Sequence, residues 1–171
     1  MKRLLLLRHG STDWSSERKL CGSSDLPLND RGLREAHEAA SRVALFAIDA
    51  AWSSDLDRAV TTARISSPLP ASPDPRLREM NFGDLEGERF DDLEVRTREA
   101  LLAFDGFAAP GGEAVSALSA RVDTFLDELA HGTHLIVTHG GVIRSLLRRY
   151  GEGDRLVLPC ELVPVVLEPR T

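Results

Sequence analysis

The strongest constraint on this chain is a pair of apolar runs that end alike. Leu4-Leu5-Leu6-Leu7 passes straight into Arg8-His9-Gly10, and Leu135-Ile136-Val137 passes through Thr138 into His139-Gly140-Gly141. Apolar residues that run on without alternating suit a strand buried on both faces of a parallel sheet. Four leucines are too few to span a bilayer or to form the apolar region of a secretion signal. Two such strands deliver two imidazoles to the carboxyl edge of a sheet, the edge where open α/β sheets bind ligands. The glycines that follow let backbone approach a bound group closely.

Around these runs the pattern alternates between strand and helix. The spacing predicts a strand over 3–8, then a loop with Gly22, Pro27 and Asn29. A helix over 31–46 follows, with Leu33, Ala36, Ala40, Val43 and Ala44 at helical spacing. Ala50 to Ser53 reads as a second parallel strand, and "DLDRAVTTARIS" as a helix with Asp55 near its positive end. The prolines of "SSPLPASPDP" cannot continue that helix. "RLREMNFGDLEG" is a glycine-punctuated loop, followed by helices over 90–104 and 113–130. "HLIVTHGG" is a buried strand, 141–150 a helix, and "ELVPVVLEP" an edge strand in which Pro164 is tolerable. The expected fold is a three-layer α/β/α sandwich with a mostly parallel central sheet, in a single domain spanning 1–171.

Charge narrows the ligand. Asp and Glu number 27 against 21 Lys and Arg, a formal charge of −6, and no basic stripe interrupts this surplus. That argues against a nucleic-acid footprint but not against a small anion, since a few cations in a cleft outweigh a weakly acidic surface locally. Cys21 and Cys160 form neither a CxxC pair nor a zinc spacing, so they read as free thiols of a reducing compartment, and the cytoplasm is the expected location. Paired histidines serve either as nucleophile and oxyanion partner or as metal ligands. Zinc would want a third ligand at suitable spacing, which the sequence does not offer. Arg58 follows a strand and faces the same edge, with a guanidinium shaped for bidentate phosphate contact. By spacing alone it reads as well as a surface arginine paired with Asp55.

Six segments carry a family resemblance. "LLRHGSTDW", "CGSSDLPLNDRG", "SSDLDRAVTTA", "LREMNFGDLEG", "PGGE" and "IVTHGGVIR" together resemble the histidine phosphatase superfamily, the phosphoglycerate-mutase-like fold, in family order from Leu4 to Arg144. The resemblance implies a phosphomonoester reaction through a phosphohistidine, without cofactor or metal. It makes His9 the nucleophile, sets Arg8, Arg58 and a protonated His139 around the transferred group, and makes Glu79 the general acid and then base. Glu86 then reads as a helix-packing or capping residue and Glu113 as part of a helix's first turn. The family's RHGxTxxN motif keeps Thr12 but has Ser15 in place of its asparagine. Thr12, Ser15, Cys21, Gly22 and Gly140 complete the expected substrate-binding set.

A short segment beyond the acid-bearing loop suits hydrolysis, because water must reach the phosphohistidine. The pattern is most similar to α-ribazole phosphatases, and is shared with fructose-2,6-bisphosphatase-like and broad-specificity members. Mutase-type activity and non-catalytic binding of phosphorylated ligands are the alternatives. The expected partner is a small phosphorylated metabolite, with no nucleic acid and no membrane; a homodimer is compatible with the sequence.

Overall fold

A computed structural model describes residues 1–150 and 153–167. Its first half contains β1 (Lys2–Arg8), α1 (Asp13–Ser16), α2 (Asp30–Val43), β2 (Ala50–Ser53), α3 (Asp57–Ser66) and β3 (Ala71–Pro73). After three short 3₁₀ turns come α4 (Val95–Ala103), α5 (Val115–Glu128), β4 (Gly132–Thr138), α6 (Gly140–Arg149) and β5 (Leu162–Leu167). The strand order is β3-β2-β4-β1-β5, and only β5 runs antiparallel to its neighbour.

The unbroken leucine run has the cause its pattern implies. β1 lies inside the sheet between β4 and β5, and Leu4 to Leu7 have no solvent exposure. Leu5 and Leu7 pack with Ala36 and Ala39 of α2 and Ala59 and Ala63 of α3. Leu4 and Leu6 face the opposite layer, where Leu118, Val122 and Phe125 of α5 meet Ile143 and Leu147 of α6. The result is the three-layer sandwich expected from the alternating pattern.

Several elements depart from expectation. In α2 the inner face is Gly32, Ala36, Ala39 and Val43, while Leu33 and Ala44 are exposed. The proline-rich stretch after α3 contains β3, an edge strand pairing with β2, where missing donors do no harm. The helix expected over 90–104 begins only at Val95. Phe90 N donates to Arg18 O at 2.8 Å and Lys19 pairs with Arg89, so this segment is held extended before a single 3₁₀ turn. The helix expected from Asp55 begins at Asp57, so Arg58 is the second residue of α3. The tail is an edge strand as expected, with Pro164 exposed; residues 168–169 lie outside the described residues. Among the described residues no helix is long and apolar enough to cross a membrane.

Truncating a leucine inside this two-sided core should leave a cavity that the sheet cannot close. Leu6→Ala is expected to lower stability by about 2–5 kcal/mol, read as a shift of the urea midpoint at unchanged slope. A loss below about 1 kcal/mol would contradict this packing.

Candidate active site

The site is made by strand register. In the parallel pairing of β1 with β4, Arg8 stands opposite Thr138, and His9 N donates to Thr138 O at 2.9 Å. The two His-Gly ends therefore leave the sheet side by side, and the His9 and His139 ring centroids lie 5.0 Å apart at 60°. His9 Nδ1 is 2.7 Å from Gly10 O. A carbonyl only accepts, so Nδ1 carries the hydrogen and Nε2 presents a lone pair. Gly10 N donates to Thr62 Oγ1 at 3.1 Å, and Ser11 N and Oγ donate to the Glu35 carboxylate. A Cβ on Gly10 would sit 2.5 Å from Gly32 O, so this turn needs glycine to lie against α2.

Two guanidiniums flank the imidazoles. Arg58 is fully buried, its NH1 donating to Ser24 O at 2.7 Å and its NH2 to Gly22 O at 2.6 Å. Arg8 donates NH1 to Val157 O at 2.5 Å. Four buried side-chain polar atoms among the described residues lack a hydrogen-bond partner: Arg8 Nε, Arg58 Nε and both ring nitrogens of His139. An unmet buried polar group costs about 1–3 kcal/mol, so their gathering at one place marks a site shaped to receive a ligand rich in acceptors.

Burial, reinforced by Arg8 and Arg58, holds His9 well below its ordinary pKa against the single opposing bond to Gly10. His139 is pushed down likewise, by burial first and then by Arg58, His9 and Arg8. Both directions belong to the site without an anion, where they favour the neutral imidazoles. The expected protonated His139 concerns the site with a phosphoryl group in it.

Glu79 approaches from the loop that follows the 3₁₀ turn Pro75–Leu77. Its Oε1 accepts from Met80 N at 2.8 Å and its Oε2 from Gly141 N at 3.1 Å, in the first turn of α6. Arg121 holds this loop by donating to Arg76 O and, at 3.0 Å, to Glu79 O, while its guanidinium also binds both oxygens of Glu113. Glu113 thus precedes α5 and clamps the acid-bearing loop, rather than standing in a helix's first turn. Glu86 caps no α-helix either, since its carboxylate accepts from Ser23, Ser24 and Phe82. Asp55 pairs with Arg78, not with Arg58.

A cavity of about 400 Å³ opens over these groups, lined by Arg8, His9, Ser15, Cys21, Gly22, Arg58, Glu79 and Gly140. His139 lies against His9, fully buried. Thr12 does not line the cavity. It caps α1, its hydroxyl accepting from Ser15 N, while Ser15 Oγ accepts from Thr12 N and donates to Thr12 O. Both hydroxyls are committed to that box, while Ser15 also lines the cavity. Cys21 Sγ lies 3.7 Å from Thr12 Oγ1, and burial pushes its thiol pKa up. The outer walls are apolar: Leu20, Phe82, Phe90, Leu101, Leu102 and Phe104. Arg144 stacks over Phe104 at 4.8 Å and donates to Leu101 O and Leu102 O, fixing the end of α4 as a wall.

Sequence reasoning missed these walls, Thr62 and the Arg121 clamp. Phe82 and Arg144 stood inside recognised segments, but nothing in their spacing announced their roles. Among the described residues no three His, Cys, Asp or Glu side chains gather to hold a metal ion.

Residues 4–156 match the family described as histidine phosphatase superfamily (branch 1). A protein of Yersinia pestis named probable phosphoglycerate mutase GpmB is 38% identical, covering 86% of this chain and 74% of its own. The crystal structure of a phosphoglycerate mutase from Thermus thermophilus superposes with a TM-score of 0.86 at 41% identity, covering 97% of this chain and 99% of that one. A structure titled mycobacterial hydrolase 1 superposes with a TM-score of 0.82 at 26% identity, covering 95% and 90%.

The forced neutrality of His9 and His139 has a thermodynamic consequence. Both folded pKa values lie below the ordinary value of 6.5, so the unfolded chain takes up protons first as pH falls. Their contribution to stability is intact above pH 6.5 and declines below it. The slope from each is at most about 1.4 kcal/mol per pH unit. Urea midpoints measured from pH 7.5 down to pH 5 should therefore fall more steeply in the wild type than in a His9→Gln/His139→Gln variant. Parallel curves would contradict the assignment of two neutral imidazoles.

Proposed function

The chain belongs to the histidine phosphatase superfamily, and on that premise we propose that it hydrolyses phosphomonoesters through a phosphohistidine formed on His9. The observation that carries this reading is the set of four partnerless nitrogens on Arg8, Arg58 and His139, gathered beside an imidazole whose Nε2 lone pair is free. Phosphoryl transfer demands mainly positioning and stabilisation of charge on the equatorial oxygens. Nε2 of His9 attacks phosphorus, the ester P–O bond breaks, and Glu79 protonates the departing oxygen. Water then attacks the phosphohistidine, gives its proton to Glu79, and returns His9 and inorganic phosphate.

The walls speak to the leaving group. Eight apolar residues line the cavity, Leu156 and Val157 among them, and Arg144 among the outer cations is nearly buried and already paired with Asp154. An apolar or heteroaromatic body would lose little by entering, whereas a carboxylate would lose its hydration against those walls. This favours hydrolysis of a small metabolite such as α-ribazole 5'-phosphate. Broad-specificity or sugar-phosphate hydrolysis remains within the same chemistry. Mutase activity is the second reading, favoured by the names of two relatives and by Arg18 and Lys19 at the rim.

The test begins with the covalent step. His9→Ala should abolish turnover, and the wild type should form an acid-labile, alkali-stable phosphoenzyme. Glu79→Gln should slow hydrolysis of an alkyl phosphate by about 10²–10⁴-fold while largely sparing phosphorylation by p-nitrophenyl phosphate, whose leaving group needs no proton. A panel including α-ribazole 5'-phosphate and 3-phosphoglycerate, followed by ³¹P NMR, separates the readings. Isomerisation of phosphoglycerate without release of phosphate would replace hydrolase by mutase, and phosphate binding without turnover would leave a non-catalytic binder.

A further inference from the structure

One segment of the site has no regular secondary structure of its own to hold it, namely residues 22–24, whose carbonyls grip Arg58. A single carboxylate holds this segment from the other side. Glu86 Oε1 accepts from Ser23 N at 2.8 Å, Ser23 Oγ at 2.9 Å and Phe82 N at 3.1 Å. Its Oε2 accepts from Ser24 N at 2.9 Å and from Ser24 Oγ. The carboxylate packs so tightly that a Cβ on Gly22, whose φ is +52°, would fall 2.1 Å from Oε1.

The peptide group joining Gly22 to Ser23 decides what this contact does. Its N–H points at Glu86, and its C=O accepts from Arg58 NH2 at 2.6 Å. In a trans peptide these two bonds point in opposite directions, so one rigid plane is caught between carboxylate and guanidinium. Each bond polarises the peptide in the sense that strengthens the other. With NH1 and NH2 anchored to residues 22–24, the direction of Arg58 Nε follows from the placement of that loop.

We propose that Glu86 is a positioning residue that aims Arg58 at the phosphoryl group through the Gly22–Ser23 peptide. The proposal rests on the reading of Arg58 as a phosphate ligand. Both carboxylate oxygens already accept several hydrogen bonds, which suits a fixed anion and not a proton donor. Burial pushes the Glu86 carboxyl up, yet the bonds from Ser24 and Ser23 outweigh it and hold the group below its ordinary pKa.

A double-mutant cycle read by binding of inorganic phosphate tests the linkage, because an acting-through role predicts coupling and a merely structural one does not. Glu86→Gln keeps the size but removes an acceptor, and should weaken phosphate binding about tenfold. In an Arg58→Ala background the same change should alter affinity by less than about twofold. Ser24→Ala spares the backbone bonds and should weaken binding less, again only when Arg58 is present; it completes the cycle if Glu86→Gln does not fold. The kcat/KM for p-nitrophenyl phosphate should fall in step with phosphate affinity. Equal losses in both backgrounds, or no loss in either variant, would overturn the proposal. Coupling without any turnover in the wild type would leave it standing and remove the hydrolase reading. Turnover without coupling would do the reverse, and a wild type that binds no phosphate would remove both.

Discussion

Everything in the site depends on the register of β1 against β4. Arg8 stands opposite Thr138, so His9 and His139 emerge together at the carboxyl edge of the sheet. Successive side chains of a strand point to opposite faces, and a slip of one residue would exchange the layers into which Leu4 to Leu7 project. Leu5 and Leu7 fit among the small alanines of α2 and α3, while Leu4 and Leu6 meet the larger side chains of α5 and α6. Core volume thus selects one pairing, and that pairing sets the two rings 5.0 Å apart. Packing that contains none of the site's polar groups decides where those groups stand.

Within that frame the arginines are arranged to keep their charge available. A buried guanidinium is ordinarily matched by a carboxylate, which would compete with an anionic ligand. Arg58 instead spends two of its donors on the carbonyls of Gly22 and Ser24, and Arg8 spends one on Val157. Carbonyl dipoles steady the planes without cancelling the charge. The carboxylates near Arg58 stand at one remove: Glu86 behind a peptide, and Glu79 on the backbone of Met80 and Gly141. Burial, reinforced by the same positive field, holds the His9 pKa down and so favours the neutral imidazole at pH values where an exposed one would be half protonated.

What was legible in the sequence follows the range of the interaction concerned. Both inner strands and both histidines could be read because an unbroken apolar run ending in His-Gly is a local pattern with few structural meanings. The direction of Arg58 could not, since its partners are backbone carbonyls of a loop that no side-chain spelling marks. The inner face of α2 was misjudged because Leu33 is the more apolar residue, whereas Gly32 lies inside, where a Cβ would meet Ser11 O at 2.1 Å. The late start of α4 is set by bonds from Phe90 and Arg89 back to Arg18 and Lys19, distant in sequence and invisible to helical periodicity. Glu79 and Glu86 show the same limit. Two glutamates in one loop, alike by composition, are separated by whether their oxygens meet the cavity or the backbone behind it.

The site is consequently a place where the fold is held away from its own optimum. Two imidazoles are kept from protonation, and polar nitrogens on Arg8, Arg58 and His139 find no partner in the protein. Such strain persists only where the surroundings over-determine the arrangement. Here the leucine core fixes the strand ends, Thr62 and Glu35 fix the turn after His9, and Glu86 and Arg121 fix the two loops that bring Gly22 and Glu79. An anion with three equatorial oxygens offers acceptors to these groups together, and its charge is what the two guanidiniums lack. Preorganisation of that kind is built during folding, so the site need not reorganise to receive such an anion.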